Sequence, residues 1–191
     1  MQIAMIGLGK MGANMTVRLV EGGHRVIAFD LNEEAIEQAE VAGAEGARTL
    51  DEVVENLTAP RVVWVMVPAG DPTEKTIQAL AGRLDAGDII IDGGNSNFHD
   101  TVRRGRELET RGISFVDVGT SGGVWGLKEG YSMMVGGALQ AVAHLTPVLE
   151  TLAPNEIITI KLKGDSVLIN EDLFLGVLEK GSPVNRNLSD N

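Results

Sequence analysis

The sequence predicts an α/β fold built on a doubly wound, mostly parallel sheet, and three observations carry that prediction. Short apolar runs alternate with stretches of helical spacing from the first residues onward. The run Val62-Val63-Trp64-Val65-Met66-Val67 is apolar without alternation, as a strand buried on both faces requires. Glycine is abundant, 24 of 191 residues, and much of it clusters where predicted strands give way to helices.

The elements follow in order. Residues 2–6 read as a strand ending at Gly7, and Met11, Met15 and Leu19 recur at helical spacing up to a stop at Gly22-Gly23. Residues 25–30 form a second strand with an acid, Asp30, at its C-terminal end. Asn32 is placed to cap a helix whose first turn carries Glu33 and Glu34, a pairing that suits the positive end of the helix dipole. A short helix near 50–57 precedes the strand at 62–67. Asp71 is expected to cap a helix with Pro72 in its first turn, running to Leu80. The strand at 88–92 runs into Gly93-Gly94, a polar helix covers 97–111, and 113–118 give the next strand. A strand at 131–135 and a helix over 138–152 complete the α/β unit.

After Pro154 the pattern changes. Residues 156–161 read as an edge strand, Asn170 as the cap of a short helix over 171–180, and 185–191 as a frayed end. The chain is therefore expected to divide into a dinucleotide-binding domain, 1–155, and a divergent, partly disordered tail, 156–191.

Composition narrows the function. The net charge is −11 and the pI is near 4.7, which disfavours nucleic acid and anionic lipid as partners. The absence of cysteine excludes disulfides and thiolate zinc sites, and no metal site is expected. Residues 1–6 lack the basic start of a signal peptide, and no apolar run approaches the roughly 18 residues of a membrane span. A soluble, cytoplasmic protein is the expectation.

Gly7-Leu8-Gly9-Lys10-Met11-Gly12 is a G-x-G-x-x-G between a predicted strand and helix. Gly7 permits the tight turn, Gly9 lets backbone approach a pyrophosphate, and Gly12 allows close helix–strand packing. The helix N-terminus then offers free N–H groups to phosphate oxygens. Asp30 stands 18 residues beyond Gly12, close to the separation of about 20 expected for an acid that binds a ribose hydroxyl pair. A carboxylate there repels a 2′-phosphate, and the following Leu31-Asn32-Glu33-Glu34 adds no arginine, so NAD is favoured over NADP. Arg25 and Arg48 read as surface charges.

Two further glycine turns lie at predicted strand ends. In Asp92-Gly93-Gly94-Asn95-Ser96 the glycines admit a ligand and Asn95 offers a donor and an acceptor, or the segment is a tight turn with a cap. In Asp117-Val118-Gly119-Thr120-Ser121-Gly122-Gly123 a hydroxyl beside glycine amides suits an anion, or the segment is a flexible loop. Both alternatives stay open on the residues alone. Met133 and Met134 read as core packing, and His99 as a helix-surface residue.

Together, Gly7 to Gly12, Val67-Pro68-Ala69-Gly70, Asp92-Gly93-Gly94-Asn95-Ser96 and the stretch 117–130 resemble the 6-phosphogluconate dehydrogenases. The short bacterial form is the nearer match, including Gly119-Thr120-Ser121-Gly122-Gly123-Val124-Trp125-Gly126, over about residues 1–155. The wider β-hydroxyacid dehydrogenases share the fingerprint and a D-x-x-x-S-G-G pattern, met by Asp117 and Ser121-Gly122-Gly123, although Leu127 stands where they usually carry alanine. The resemblance implies a Rossmann-type fold. It also implies oxidative decarboxylation of 6-phosphogluconate to ribulose 5-phosphate, with hydride passing from the substrate's C3 to the nicotinamide. By motif, Gly7, Leu8, Gly9, Lys10, Met11, Gly12, Asp30, Val67, Pro68, Ala69 and Asn95 would hold the cofactor. Asn95, Ser121, Gly122 and Gly123 would hold the sugar acid.

The resemblance stops short of catalysis. The family's general base is a lysine in a K-x-x-H-N pattern on a later all-helical domain that also supplies a glutamate acid. None of His24, His99 and His144 completes that pattern here, and Lys161 and Lys163 read as exposed lysines of an edge strand. The expectation is nucleotide binding without the catalytic half, and self-association through apolar surface that a helical domain would cover. A non-catalytic NAD or sugar-phosphate binding module, and a dehydrogenase of another small β-hydroxyacid, are the alternatives.

Overall fold

The computed structural model describes residues 1–154, 156–163 and 166–169, the last two stretches by backbone alone. One sheet organises the chain. Its strands are β1 (Gln2–Ile6), β2 (Arg25–Phe29), β3 (Glu45–Gly46), β4 (Val62–Val65), β5 (Ile89–Asp92), β6 (Ser114–Ser121), β7 (Ser132–Gly137), β8 (Glu156–Lys163) and β9 (Ser166–Ile169). They lie in the order β3-β2-β1-β4-β5-β6-β7-β8-β9. From β3 to β6 every pairing is parallel, β7 runs antiparallel to β6, and β9 antiparallel to β8. The predicted doubly wound, mostly parallel sheet is what the chain forms.

Helices α1 (Lys10–Glu21), α2 (Glu33–Val41), α3 (Leu50–Glu55), α4 (Asp71–Ala81), α5 (Phe98–Glu109), α6 (Gly126–Glu129) and α7 (Leu139–Leu152) connect the strands. The unalternated strands make sense against two cores. Val62 and Trp64 join Met15, Leu19, Leu145 and Leu149 in one cluster, while Val63 and Val65 join Ile77, Leu80 and Leu108 in the other. Successive side chains of a strand point to opposite faces, so a strand covered on both must be apolar throughout. Each such side chain contributes roughly 1.5–3 kcal/mol on full burial.

Three expectations change in detail. Asp71 does not cap α4: Gly70 takes that position with φ 91°, and Asp71 and Pro72 open the first turn. β6 extends to Ser121, so the serine belongs to the strand end and the glycine turn starts at Gly122. β8 is not an edge strand, because β9 pairs along its outer side. The two-residue β3 was not foreseen, since Glu45-Gly46 carries no strand signal of its own. The expected cap at Asn170, helix over 171–180 and frayed 185–191 lie outside the described residues.

Candidate functional site

β1 stands where the winding reverses, with β2 on one side and β4 on the other. In open α/β sheets the crevice beyond the C-terminal strand ends at that point takes the ligand. Every glycine turn singled out from the sequence lies at one of these ends.

Gly7 leaves β1 with φ 96°, and a Cβ there would sit 2.7 Å from the Met66 carbonyl oxygen. Gly12 faces back onto the Gly7 carbonyl so closely that any side chain would collide with it. Gly9 differs, because a Cβ on it would meet nothing within 4 Å. Gly9 is also the N-cap of α1, which has no side-chain cap and no acid in its first turn. By contrast Asn32, Thr49 and Asn97 cap α2, α3 and α5 through their side chains. The start of α1 is thus left with N–H groups and a partial positive charge toward open space, a fit for phosphate.

Asp30 sits against this turn. Its Oδ2 accepts the Leu8 N–H at 2.6 Å and its Oδ1 accepts the Asn32 N–H at 2.9 Å. The acid and the glycine loop are therefore one hydrogen-bonded unit. The neighbouring arginines are engaged elsewhere: Arg48 pairs with Glu40 at 2.7 Å and Glu33 at 3.8 Å, and Arg25 with Glu45 at 2.6 Å.

The loop after β4, Val67-Pro68-Ala69-Gly70, faces the same crevice end. It is anchored by the Thr73 hydroxyl, which donates to the Pro68 carbonyl at 2.9 Å, and by the Glu74 N–H donating to Gly70.

After β5, Gly93 and Gly94 have the close neighbours expected of the tight-turn alternative. A side chain on Gly93 would collide with Trp64 Nε1, and one on Gly94 would lie 2.8 Å from the Val67 carbonyl. On the side where a side chain would stand, both glycines pack against the protein itself. Asn95 is exposed, with φ 56°, the left-handed region that asparagine adopts more readily than other non-glycine residues.

Asn95 and Ser121 meet in a groove of about 310 Å³, lined also by Gly119, Thr120, Ser132, Met133 and Met134. Met133 is core, as expected, but Met134 is 55% exposed and forms groove wall. β6 and β7 are antiparallel here, with Ser121 opposite Ser132, so the end of one strand and the start of the other together form a wall of the groove. Beyond Ser121, Gly122 takes φ 142° against the Tyr131 ring, and Gly123 takes φ 49° with open space around it. Arg18 of α1 holds this stretch: its Nε donates to the Thr151 carbonyl at 2.7 Å and its Nη1 to the Leu127 carbonyl at 3.1 Å.

Sequence reasoning missed what lies beneath Asn95. Arg104 of α5 is buried with Asp92, and its Nη1 donates to Asp92 Oδ2 and to Ser96 Oγ, both at 3.1 Å. Its Nε donates to Glu74 Oε2 at 2.8 Å. Arg103 donates to the same carboxylate from outside, and these bonds hold the Glu74 pKa down to about 2. Asp117, paired in register with Asp92, is pushed up to about 6 by burial and then by the Asp92 charge, with Arg104 pulling the other way. A signal existed: Thr101, Arg104 and Leu108 share one helical face, and all three are buried. His99 is exposed, as expected. A second groove, of about 240 Å³, runs between α4 and α5 away from the glycine turns.

Among the described residues no group of three or more His, Asp or Glu could hold a metal ion, and no helix is long and apolar enough to cross a membrane.

The family described as the NAD-binding domain of 6-phosphogluconate dehydrogenase matches residues 2–161. The NAD(+)-dependent, decarboxylating 6-phosphogluconate dehydrogenase of Haloferax volcanii is 44% identical over 153 residues, covering 80% of this chain and 50% of that one. Among solved structures, Mycobacterium tuberculosis 3-hydroxyisobutyrate dehydrogenase with L-serine superposes with TM-score 0.77 at 29% identity, covering 93% of this chain and 58% of that one. Plasmodium falciparum 6-phosphogluconate dehydrogenase, solved apo, with NADP+ and with 6-phosphogluconate, gives TM-score 0.74 at 28% identity over 87% of this chain and 36% of its own. The chain spans about half or less of the length of the curated relatives it matches.

Proposed function

The chain belongs to the family of 6-phosphogluconate dehydrogenase NAD-binding domains, and from that premise we propose that it forms the nucleotide-binding part of an enzyme oxidising and decarboxylating 6-phosphogluconate to ribulose 5-phosphate. In this reading Gly7, Leu8, Gly9, Lys10, Met11, Gly12, Asp30, Val67, Pro68 and Ala69 hold the dinucleotide. Asn95 stands at the junction, and Ser121, Gly122 and Gly123 hold the sugar acid. The bound nicotinamide supplies the hydride acceptor.

The observation that carries the reading is the Leu8 N–H donating to Asp30 beside the unobstructed Gly9 and the uncapped start of α1. It joins a hydroxyl-binding carboxylate and a phosphate-binding turn in one rigid unit. Each Asp30 oxygen accepts one backbone N–H and keeps a lone pair for a ribose hydroxyl. The same charge repels a 2′-phosphate, and Arg48 is committed to Glu40 and Glu33, so NAD is preferred to NADP. No K-x-x-H-N stands in residues 1–191, so these residues bind without turning over by themselves. General acid–base catalysis is commonly worth about 10²–10⁴-fold.

Titration calorimetry with NAD and NADP tests this. NAD is expected to bind at least about tenfold more tightly, a difference of about 1.4 kcal/mol, and Asp30→Ala should narrow that ratio. Equal binding by wild type, or an unchanged ratio in Asp30→Ala, overturns the preference. Oxidation of 6-phosphogluconate by the 191-residue chain alone at an ordinary enzymatic rate overturns the division of labour.

A second reading is favoured by the fold likeness to 3-hydroxyisobutyrate dehydrogenase, which covers more of this chain than the likeness to the Plasmodium enzyme. Thermal shift in the presence of NAD separates the two. Selective stabilisation by 6-phosphogluconate supports the first reading, and by 3-hydroxyisobutyrate the second, since a ligand that binds the folded state raises its melting temperature by mass action.

A further inference from the structure

We propose that Arg104 is a positioning residue that locks Asn95 to the Val67-Pro68-Ala69-Gly70 loop, acting as a buried brace between the two turns. Four observations lead there. Asn95 keeps a left-handed backbone with φ 56° while its side chain is exposed. Asparagine tolerates that conformation better than other non-glycine residues, and here its two flanks fix it. The constraint comes from both flanks: the Gly94 N–H donates to Asp92 Oδ1 at 3.0 Å, and the Ser96 hydroxyl donates to Asp92 Oδ2 at 2.7 Å. Asp92 therefore clasps the turn on either side of Asn95.

Asp92 is fully buried and in turn depends on Arg104, which donates to its Oδ2 and to Ser96 Oγ. The other end of the same guanidinium donates to Glu74 in the first turn of α4. Glu74 is tied through its own N–H to the Gly70 carbonyl, and Thr73 through its hydroxyl to the Pro68 carbonyl. One guanidinium thus spans from the Asn95 turn to the helix start that carries the other loop. The two loops also pack backbone to backbone, since a Cβ on Gly94 would lie 2.8 Å from the Val67 carbonyl.

The fork matters, and not only the charge. Arg104 reaches Asp92 and Glu74 through separate nitrogens of a rigid planar fork, whereas a lysine ammonium is a compact centre on a flexible stem without that fixed span. Arg104→Lys should therefore keep Asp92 paired and the fold intact while releasing the link to α4. The proposal rests on the function argued above only for the ligands it names.

The full chain and its Arg104→Lys and Glu74→Ala variants would be compared in three readouts: melting temperature, binding of NAD, and binding of 6-phosphogluconate with NAD present. The expected result for Arg104→Lys is a melting temperature close to wild type, with NAD binding weakened at least about threefold and sugar-acid binding weakened at least about tenfold. Glu74→Ala should weaken sugar-acid binding in the same direction. If lysine restores sugar-acid binding together with stability, the brace is overturned and Arg104 serves only to neutralise Asp92.

A ligand-independent readout separates this from failure of the functional reading. Amide hydrogen exchange at Gly94 should accelerate at least about tenfold in Arg104→Lys and in Glu74→Ala, without global opening. Unchanged exchange in both variants overturns the brace even if ligands bind. Faster exchange in a chain that binds neither ligand upholds the brace and removes the function.

Discussion

The turn after β1 and the turn after β5 are both rich in glycine, yet the residue serves opposite ends in the two. At Gly9 the missing side chain leaves space that nothing in the protein fills. At Gly93 the same absence makes room for Trp64, a fully buried side chain of the core. The first turn is held by backbone geometry and the single acid Asp30, the second by a buried charge network of Asp92, Arg104 and Glu74. An excess of glycine therefore does not by itself mean ligand contact. Space for a ligand and space for packing look alike until the neighbours are known.

Substitutions can break this contrast, and Gly12→Ala should have the largest effect. Its Cβ would collide with the Gly7 carbonyl, a backbone atom that cannot swing away. A loss of about 3 kcal/mol in chemical denaturation, together with loss of NAD binding, is expected. Wild-type stability would show that the turn can deform.

Gly93→Ala comes next, with a loss of about 1–3 kcal/mol from overpacking against Trp64. Trp64 fluorescence should report the displaced ring. Gly9→Ala is the counterpart: its φ of −58° suits alanine and its surroundings are open. Stability within about 0.5 kcal/mol of wild type, with clearly weaker NAD binding by calorimetry, would sharpen the comparison. Equal losses of stability in the two variants would erase it.

A smaller effect is the pH dependence of the charge network under the second turn. The Asp117 pKa is raised from 3.8 to about 6, by burial first and then by Asp92. The folded chain therefore binds this proton more tightly than the unfolded chain. Its contribution to stability is fully present below pH 3.8 and is lost as pH rises through about 6. Glu74, held at about 2 chiefly by its bond from Arg103, works in the other direction. Its contribution is present above pH 4.5 and is lost as pH falls toward about 2. Carboxyl carbon NMR titrations of both residues would check the signs, and an Asp117 titration near its ordinary value would contradict the burial argument.

Much of this was legible in the chain itself. Strands and helices followed from local spacing, because apolar runs and 3.6-residue periodicity are written in consecutive residues. The Asn32 cap is legible because its partner lies two residues on, at Glu34. Asp71 resembles a cap in sequence, but Gly70 supplies the turn that a cap normally makes. Met134 passed for core since methionine is apolar, while its exposure is decided by the antiparallel pairing of β7 with β6.

The order of elements, the fingerprint turn with its acid at the end of β2, and the family resemblance were determined by sequence alone. All of them depend on residues near one another in the chain, or on spacings that survive without a structure. Only the tertiary structure decided which glycines leave room for a ligand, that Asn95 and Ser121 border one groove, and that Arg104 joins Asp92 to Glu74. The last two relations link residues 12 to 30 positions apart in the chain, brought together by the packing of the strands and helices that carry them. Burial belongs to the packed sheet as a whole and to no stretch of its sequence.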